Sequence, residues 1–192
     1  MVEAVDDSRQ KAILDSAFQA FSTYGYRKTS MDDIARGAGM SRPALYLHFK
    51  NKEAIVSKLT EFYYVEKTAA VTAALATQGS VAEVLTHAIQ TQTAGIAKIL
   101  ASPHGLEMLD NTKSMSSEFI AEGEAGLAGV YAEWLSRQEQ LGRVRLLTSA
   151  AETGRTITAT LKGLKLIGAG ADVYEQQVAQ IAALISAGLE VK

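Results

Sequence analysis

With 192 residues, two prolines and no cysteine, the chain is long enough for a sizeable core, favours helices, and excludes disulfides, thiol catalysis and cysteine-ligated zinc. The formal net charge of −2 hides a division: residues 1–60 hold nine Lys and Arg against seven Asp and Glu, and residues 27–52 hold six against two, the footprint of a phosphate-binding patch. Residues 1–10 lack the apolar run of a signal peptide and no uncharged stretch approaches the roughly 18 residues of a membrane span, so a soluble, cytoplasmic protein with no membrane partner is expected.

From the N-terminus, residues 11–24 bring Leu14, Ala17, Phe18 and Phe21 to one side at helical spacing, and Gly25 follows where a left-handed C-terminal residue belongs. Thr29 and Ser30 precede Met31, Ile34, Ala35 and Ala38. Ser30 with Asp33 makes the S-x-x-D pattern of a capping box, so a second helix opens there. Gly39 ends it after about two turns, and Ser41 caps a third helix with Pro43 in its first turn, where a missing N–H costs nothing. Met40 and Leu45 flank that cap at the spacing of a hydrophobic staple, which sets the entry angle. Asn51 caps a fourth helix running from Lys52 past Tyr64 toward Ala76, with Ile55, Leu59, Phe62 and Tyr63 near one face. Further helical patterns cover 81–101, 105–111, 117–140, 150–167 and 173–189. The sequence shows no strands, repeats or low-complexity tracts, and the fold class is all-α.

The run from Thr29 to Val56, TSMDDIARGAGMSRPALYLHFKNKEAIV, resembles the DNA-binding signature of the TetR family of regulators. It carries the paired hydroxyls, the D-I-A-x-x-A-G core, the M-S turn, the L-Y-x-H-F segment and the K-x-K-E lead into the fourth helix. The resemblance implies an N-terminal three-helix helix-turn-helix head, residues 1–52, on a helical ligand-binding and dimerisation body, residues 53–192, with about nine helices in all. It also implies that Leu47 faces DNA and that Tyr46 and His48 flank the groove with phosphate contacts.

The residues support this reading on physical grounds. A recognition helix must cross its partner closely to protrude into a groove about 12 Å wide, and Ala35, Ala38 and Gly39 offer the small surfaces such a crossing needs. Ser41, Arg42, Pro43 and Ala44 lie in the turn that inserts deepest. The Arg42 fork matches a guanine edge, and Pro43 and Ala44 suit a thymine methyl. Leu45 and Phe49 share a buried face. Thr29 and Ser30 have a double reading, as caps and as phosphate contacts beside free backbone N–H groups. Lys50 and Lys52 straddle the start of the fourth helix, where the macrodipole disfavours cations, so a phosphate contact is expected for Lys52.

In the body, Ile157, Leu161 and Leu164 form one apolar stripe and Tyr174, Val178, Ile181, Ile185 and Leu189 another. A hairpin turning through residues 166–172 is expected to pair with a twofold mate as a four-helix bundle, as in the resembling family, the other reading being intrachain core. Two heads held about 34 to 36 Å apart would read a palindromic operator. The resemblance further implies a small apolar or aromatic effector that swings the fourth helix, and repression as the usual sign. Phe62, Tyr63, Ile96, Met108, Met115, Phe119, Tyr131 and Trp134 are candidates for lining its site, or for plain core.

An enzyme is the rival class. The histidines are His48, His87 and His104; Glu83 and His87 could share a metal but lack a further ligand, and Gly163, Gly168 and Gly170 follow a helix rather than a strand. No catalytic residue, metal or cofactor is expected. A module that keeps the fold but has lost DNA binding is the remaining alternative, and salt-sensitive duplex binding separates it from a regulator.

Overall fold

The computed structural model describes residues 2–166 and 170–189. Its helices are α1 (Val2–Tyr24), α2 (Met31–Gly37), α3 (Arg42–His48), α4 (Lys52–Leu75), α5 (Val81–Thr93), α6 (Ile96–Leu100), α7 (Gly105–Met115), α8 (Ser117–Gln140), α9 (Ala150–Leu166) and α10 (Ala171–Leu189). No β-strand occurs among the described residues, as the all-helical reading requires. The stretch expected as one helix over 81–101 is two. Gly95 at φ +88 breaks it, a left-handed conformation open to glycine, and the apolar period resumes at Ile96, so the pattern runs across the break. Helix α1 starts at Val2, earlier than the apolar pattern from Lys11 onward indicates. Residues 167–169 of the expected α9–α10 connection lie outside the described residues.

The chain divides into two compact units, Met1–Phe62 with Ile99–Ile120, and Tyr63–Lys98 with Ala121–Lys192. In the first unit, α1 gives Ile13, Leu14, Ala17 and Phe21 to a core completed by Ile34 and Ala35 of α2, Leu45 of α3, Phe49, and Ile55 and Val56 of α4. Fully burying each large side chain contributes about 1.5–3 kcal/mol. The segment around α7 belongs here because Met108 and Met115 pack against that same core and the His104 N–H donates to the Ser22 carbonyl at 3.2 Å.

In the second unit, α10 packs on α5 and α9. It buries Tyr174, Val178, Ala182 and Leu189, and α5 buries Leu85, Ala88 and Ile89. Helix α8 contributes Leu127, Tyr131, Trp134 and Leu135. Gly154 permits a close approach of α9 to α8: a Cβ there would stand 2.5 Å from the Ala128 carbonyl oxygen.

Candidate nucleic-acid interface

Local bonds fix how α2 hands over to α3. The Ser30 hydroxyl accepts the Asp33 N–H at 3.2 Å while the Asp33 carboxylate accepts the Ser30 N–H at 3.0 Å, the reciprocal capping box expected from the sequence. Those bonds from Ser30 hold the Asp33 carboxyl below the usual range. At the other end the Gly39 N–H donates to Arg36 and the Met40 N–H to Ala35, at 3.1 and 3.0 Å, with Gly39 at φ +68. This Schellman closure stops α2 after seven residues. The Ser41 hydroxyl then accepts the Ala44 N–H at 3.3 Å and opens α3.

Helix α3 is anchored by one face and free on the other. Leu45 and Phe49 are buried in the core of the first unit, whereas Leu47 is 87% and Tyr46 43% exposed. Ser41, Arg42 and Pro43 are exposed, with Ala44 and His48 half-buried at the margins. Six of the sequence-predicted DNA residues, Ser41, Arg42, Pro43, Ala44, Tyr46 and Leu47, thus share one protruding surface. The Arg42 guanidinium lies 5.6 Å from the Tyr46 ring centroid, with Nη2 3.5 Å from the hydroxyl. This contact orients the fork and holds its pKa up. Lys50, Arg27 and Lys28 are exposed, while Arg36 is engaged by Asp32 and Asp33 on its own helix.

Two expected phosphate contacts have other work. Thr29 is buried, and its hydroxyl donates to the Gly25 carbonyl at 2.8 Å, closing the α1–α2 loop. Lys52 donates from Nζ to the carbonyls of Tyr26 and Thr29 at 2.6 and 2.7 Å and lies 4.3 Å over the Tyr26 ring. These carbonyls, which the macrodipole of α4 alone does not reveal, offset the unfavourable placement of a cation at the start of the helix. The Tyr26 hydroxyl in turn donates to Glu53 at 2.8 Å. Burial, with the Glu53 carboxylate beside it, pushes the phenol pKa up. Tyr26 carried no sequence signal, and Glu53 only as the last residue of the K-x-K-E segment, since their partners lie 26 or more positions away. Asn51 caps α4 as expected, accepting the Ala54 N–H at 2.8 Å.

The other candidate residues fall in separate places. Phe62, Met108, Met115 and Phe119 belong to the first unit, and Tyr63, Ile96, Tyr131 and Trp134 to the second, where Ile96, Tyr131 and Trp134 are buried. Of the expected dimer stripe, Ile157, Leu161, Tyr174 and Val178 are buried within the single chain, and Leu164, Ile181 and Ile185 are half-buried. The face that α9 and α10 leave exposed carries Thr156, Ala159, Gly163, Gln176, Ala179, Gln180, Ala183 and Ala187, with Leu184 61% exposed. Period-3.6 arithmetic finds the apolar stripe but not this small-residue face opposite it. Glu83, weighed as a metal ligand with His87, caps α5 through Ser80 at 2.9 Å. No helix among the described residues is long and apolar enough to cross a membrane.

Comparison with known proteins places this geometry. The family model for bacterial regulatory proteins of the tetR family matches residues 13–59, from α1 into α4. An HTH-type transcriptional repressor of Mycobacterium tuberculosis, Rv1474c, is 31% identical over 148 residues, 72% of this chain and 70% of that protein. The regulator EthR of Mycolicibacterium smegmatis is 42% identical over 55 residues, 29% of this chain, and the match spans 25% of that protein's length. A TetR-family transcriptional regulator from Pectobacterium atrosepticum shares the fold with a TM-score of 0.76 at 20% identity, over 98% of this chain and 97% of that one. These relatives are transcriptional regulators, not enzymes. With its helix-turn-helix head and its long match to a mycobacterial repressor, this chain belongs to the TetR family of DNA-binding transcriptional regulators.

Proposed function

We propose that the protein is a cytoplasmic repressor that grips a palindromic operator as a homodimer and is released when a small molecule enters the helical body. Residues 1–52 form the DNA-binding part and residues 53–192 bind effector and partner. The observation that carries the DNA-binding part is the surface of α3: Arg42, Tyr46 and Leu47 stand in solvent on a helix whose Leu45 and Phe49 are locked in the core. Ser41, Arg42, Pro43, Ala44 and Leu47 read base edges, and Ser30, Tyr46 and His48 contact phosphates. Thr29 and Lys52 shape the head from within. Repression is supported by the mycobacterial relative, itself a transcriptional repressor. The exposed face of α9 and α10, flanked by half-buried Leu164, Ile181 and Ile185, is the surface for the second copy.

Selection of bound duplexes from a random pool, followed by anisotropy titration, tests this. The expected result is two half-sites related by a dyad, centred about 34–36 Å apart, bound by two chains with affinity that falls steeply with salt. A single half-site bound by one chain, or binding indifferent to salt, overturns it.

A further inference from the structure

The interior of the second unit contains polar groups that its own packing leaves unsatisfied. The hydroxyls of Tyr63 on α4 and Tyr174 on α10 are shut off from solvent and have no hydrogen-bond partner among the described residues; burial, and after it the Tyr63 phenol, pushes the Tyr174 pKa up. Lys165 of α9 brings its ammonium to 5.7 Å from the Tyr63 ring centroid. Lys67 of α4 stands 5.8 Å from the same ring, but its ammonium is discharged onto the carbonyls of Thr91 and Ala94 at 3.0 and 2.9 Å. Lys165 has no such outlet among the described residues. Glu124 of α8 is the carboxylate that acts on Lys165, while Glu66 acts on Lys67; Glu124 accepts the Tyr64 hydroxyl at 2.8 Å without forming an ion pair to Lys165. Burial lowers the Lys165 pKa, with Glu124 opposing only in part.

Buried hydroxyls almost always find a partner, and a cation such as the half-buried Lys165, drawn partly out of water, is stabilised by an anion beside it. Two idle phenol donors beside an unpaired ammonium therefore describe the complement of one group: an oxyanion that accepts hydrogen bonds. We propose that this interior, between α4, α8, α9 and α10, binds the effector through an anionic head, a carboxylate on an apolar body, which pairs with Lys165 and accepts from the Tyr63 and Tyr174 hydroxyls. This rests on the reading that the body binds an effector, and it replaces a purely apolar or aromatic ligand with an amphipathic acid. Neutral molecules of the same shape leave Lys165 unpaired, so the site discriminates against them by charge rather than by size.

The test uses full-length protein and matched probes: straight-chain carboxylates from hexanoate to dodecanoate with phenylacetate, each against the primary alcohol of identical carbon skeleton, titrated by calorimetry. At least one acid is expected to bind tenfold or more tightly than its alcohol. Lys165→Met is expected to abolish that preference while leaving alcohol binding within about twofold. If Lys165→Met does not fold, the Tyr63→Phe/Tyr174→Phe double variant serves, with an expected loss of tenfold or more for the acid alone. No acid preferred over its alcohol, or a preference that survives in the folded variants, overturns the proposal. Alcohols that bind and release operator DNA where acids do not would leave the effector reading standing and remove only the anionic head.

Discussion

Lys52 and Thr29, two residues expected to reach DNA phosphates, are bonded to each other: the Lys52 ammonium donates to the Thr29 carbonyl at 2.7 Å. With Tyr26 as the second acceptor and the ring beneath it, this cation ties the loop that launches α2 to the first turn of α4. The angle at which α3 is presented depends on both elements, so a side chain that never reaches a base can still govern where the bases are met.

Lys52→Met removes both charge-assisted bonds and leaves the carbonyls of two buried residues, Tyr26 and Thr29, without their donor. A loss of about 1–3 kcal/mol follows, a fall in Tm of roughly 2–4 °C for each kcal/mol in a chain of this size. At temperatures where the variant is folded, its slope of log affinity against log salt is expected to match the parent's. A slope shallower by about one unit would mean that Lys52 neutralises a phosphate after all.

Arg42 is different in kind. Its fork is exposed and steadied by Tyr46, so Arg42→Ala is expected to flatten discrimination at one base pair per half-site by about 1–3 kcal/mol while other positions keep theirs. Tyr46→Leu, which keeps bulk but removes the π face, should lower the same discrimination by a smaller step, about 0.5–1 kcal/mol. Competition binding against every single-base variant of the selected operator reads both. A uniform loss across all positions would place Arg42 on the backbone instead.

Much of the head was legible because its determinants are local: Ser30 with Asp33, Gly39, Ser41 with Pro43, and Asn51 each act within a few residues, and each does what its spacing predicts. The intrachain bonds of Thr29 and Lys52 were not legible because their partners lie across the loop, where periodicity carries no information. In the body the helices could be found from their apolar stripes, yet the stripe of α10 points at α5 within the same chain. A sequence pattern gives the side of a helix that avoids water without saying which neighbour covers it. The orphaned hydroxyls of Tyr63 and Tyr174 are invisible to any pattern, since satisfaction is a property of three-dimensional surroundings.

The cap on α2 makes a statement about pH. Bonds from Ser30 lower the Asp33 pKa below its unfolded value, so the ionised form binds the fold more strongly than the protonated one. This contribution is present above the unfolded carboxylate pKa and is lost as pH falls through the folded value. Melting temperatures of the protein and of Asp33→Asn should differ at neutral pH and converge between about pH 5 and 3. A gap that stays constant over that window would mean that the charge contributes nothing to the cap.

Glycine-to-alanine changes inside a helix ordinarily stabilise by up to about 1 kcal/mol. Gly129 of α8 has open space around its absent Cβ and should follow that rule. Gly154 of α9 should reverse it, because a Cβ there would lie 2.5 Å from the Ala128 carbonyl oxygen and 3.1 Å from the Ala132 nitrogen, both backbone atoms that cannot swing aside. Gly154→Ala is expected to cost about 1–3 kcal/mol by forcing the helices apart. Denaturant titration of the two variants checks the opposite signs, and a stabilised Gly154→Ala would show that the crossing is slack.

The surface proposed for the second copy can be tested in the same way. Ile157, Leu161, Tyr174 and Val178 are already buried within one chain, so enlarging or shrinking them alters stability before it alters assembly. Ala183, by contrast, is exposed on α10 one residue from Leu184, on the face assigned to the twofold mate, where small side chains would let paired helices approach. Ala183→Arg adds bulk and a charge that meets its own copy across a dyad, so like charges are driven together. The variant is expected to remain folded by circular dichroism, to run as a monomer in size-exclusion chromatography with light scattering, and to lose operator affinity by at least about tenfold, since one head alone forfeits the effective concentration that the partner provides. A folded Ala183→Arg dimer that binds operator normally would move the interface off this face.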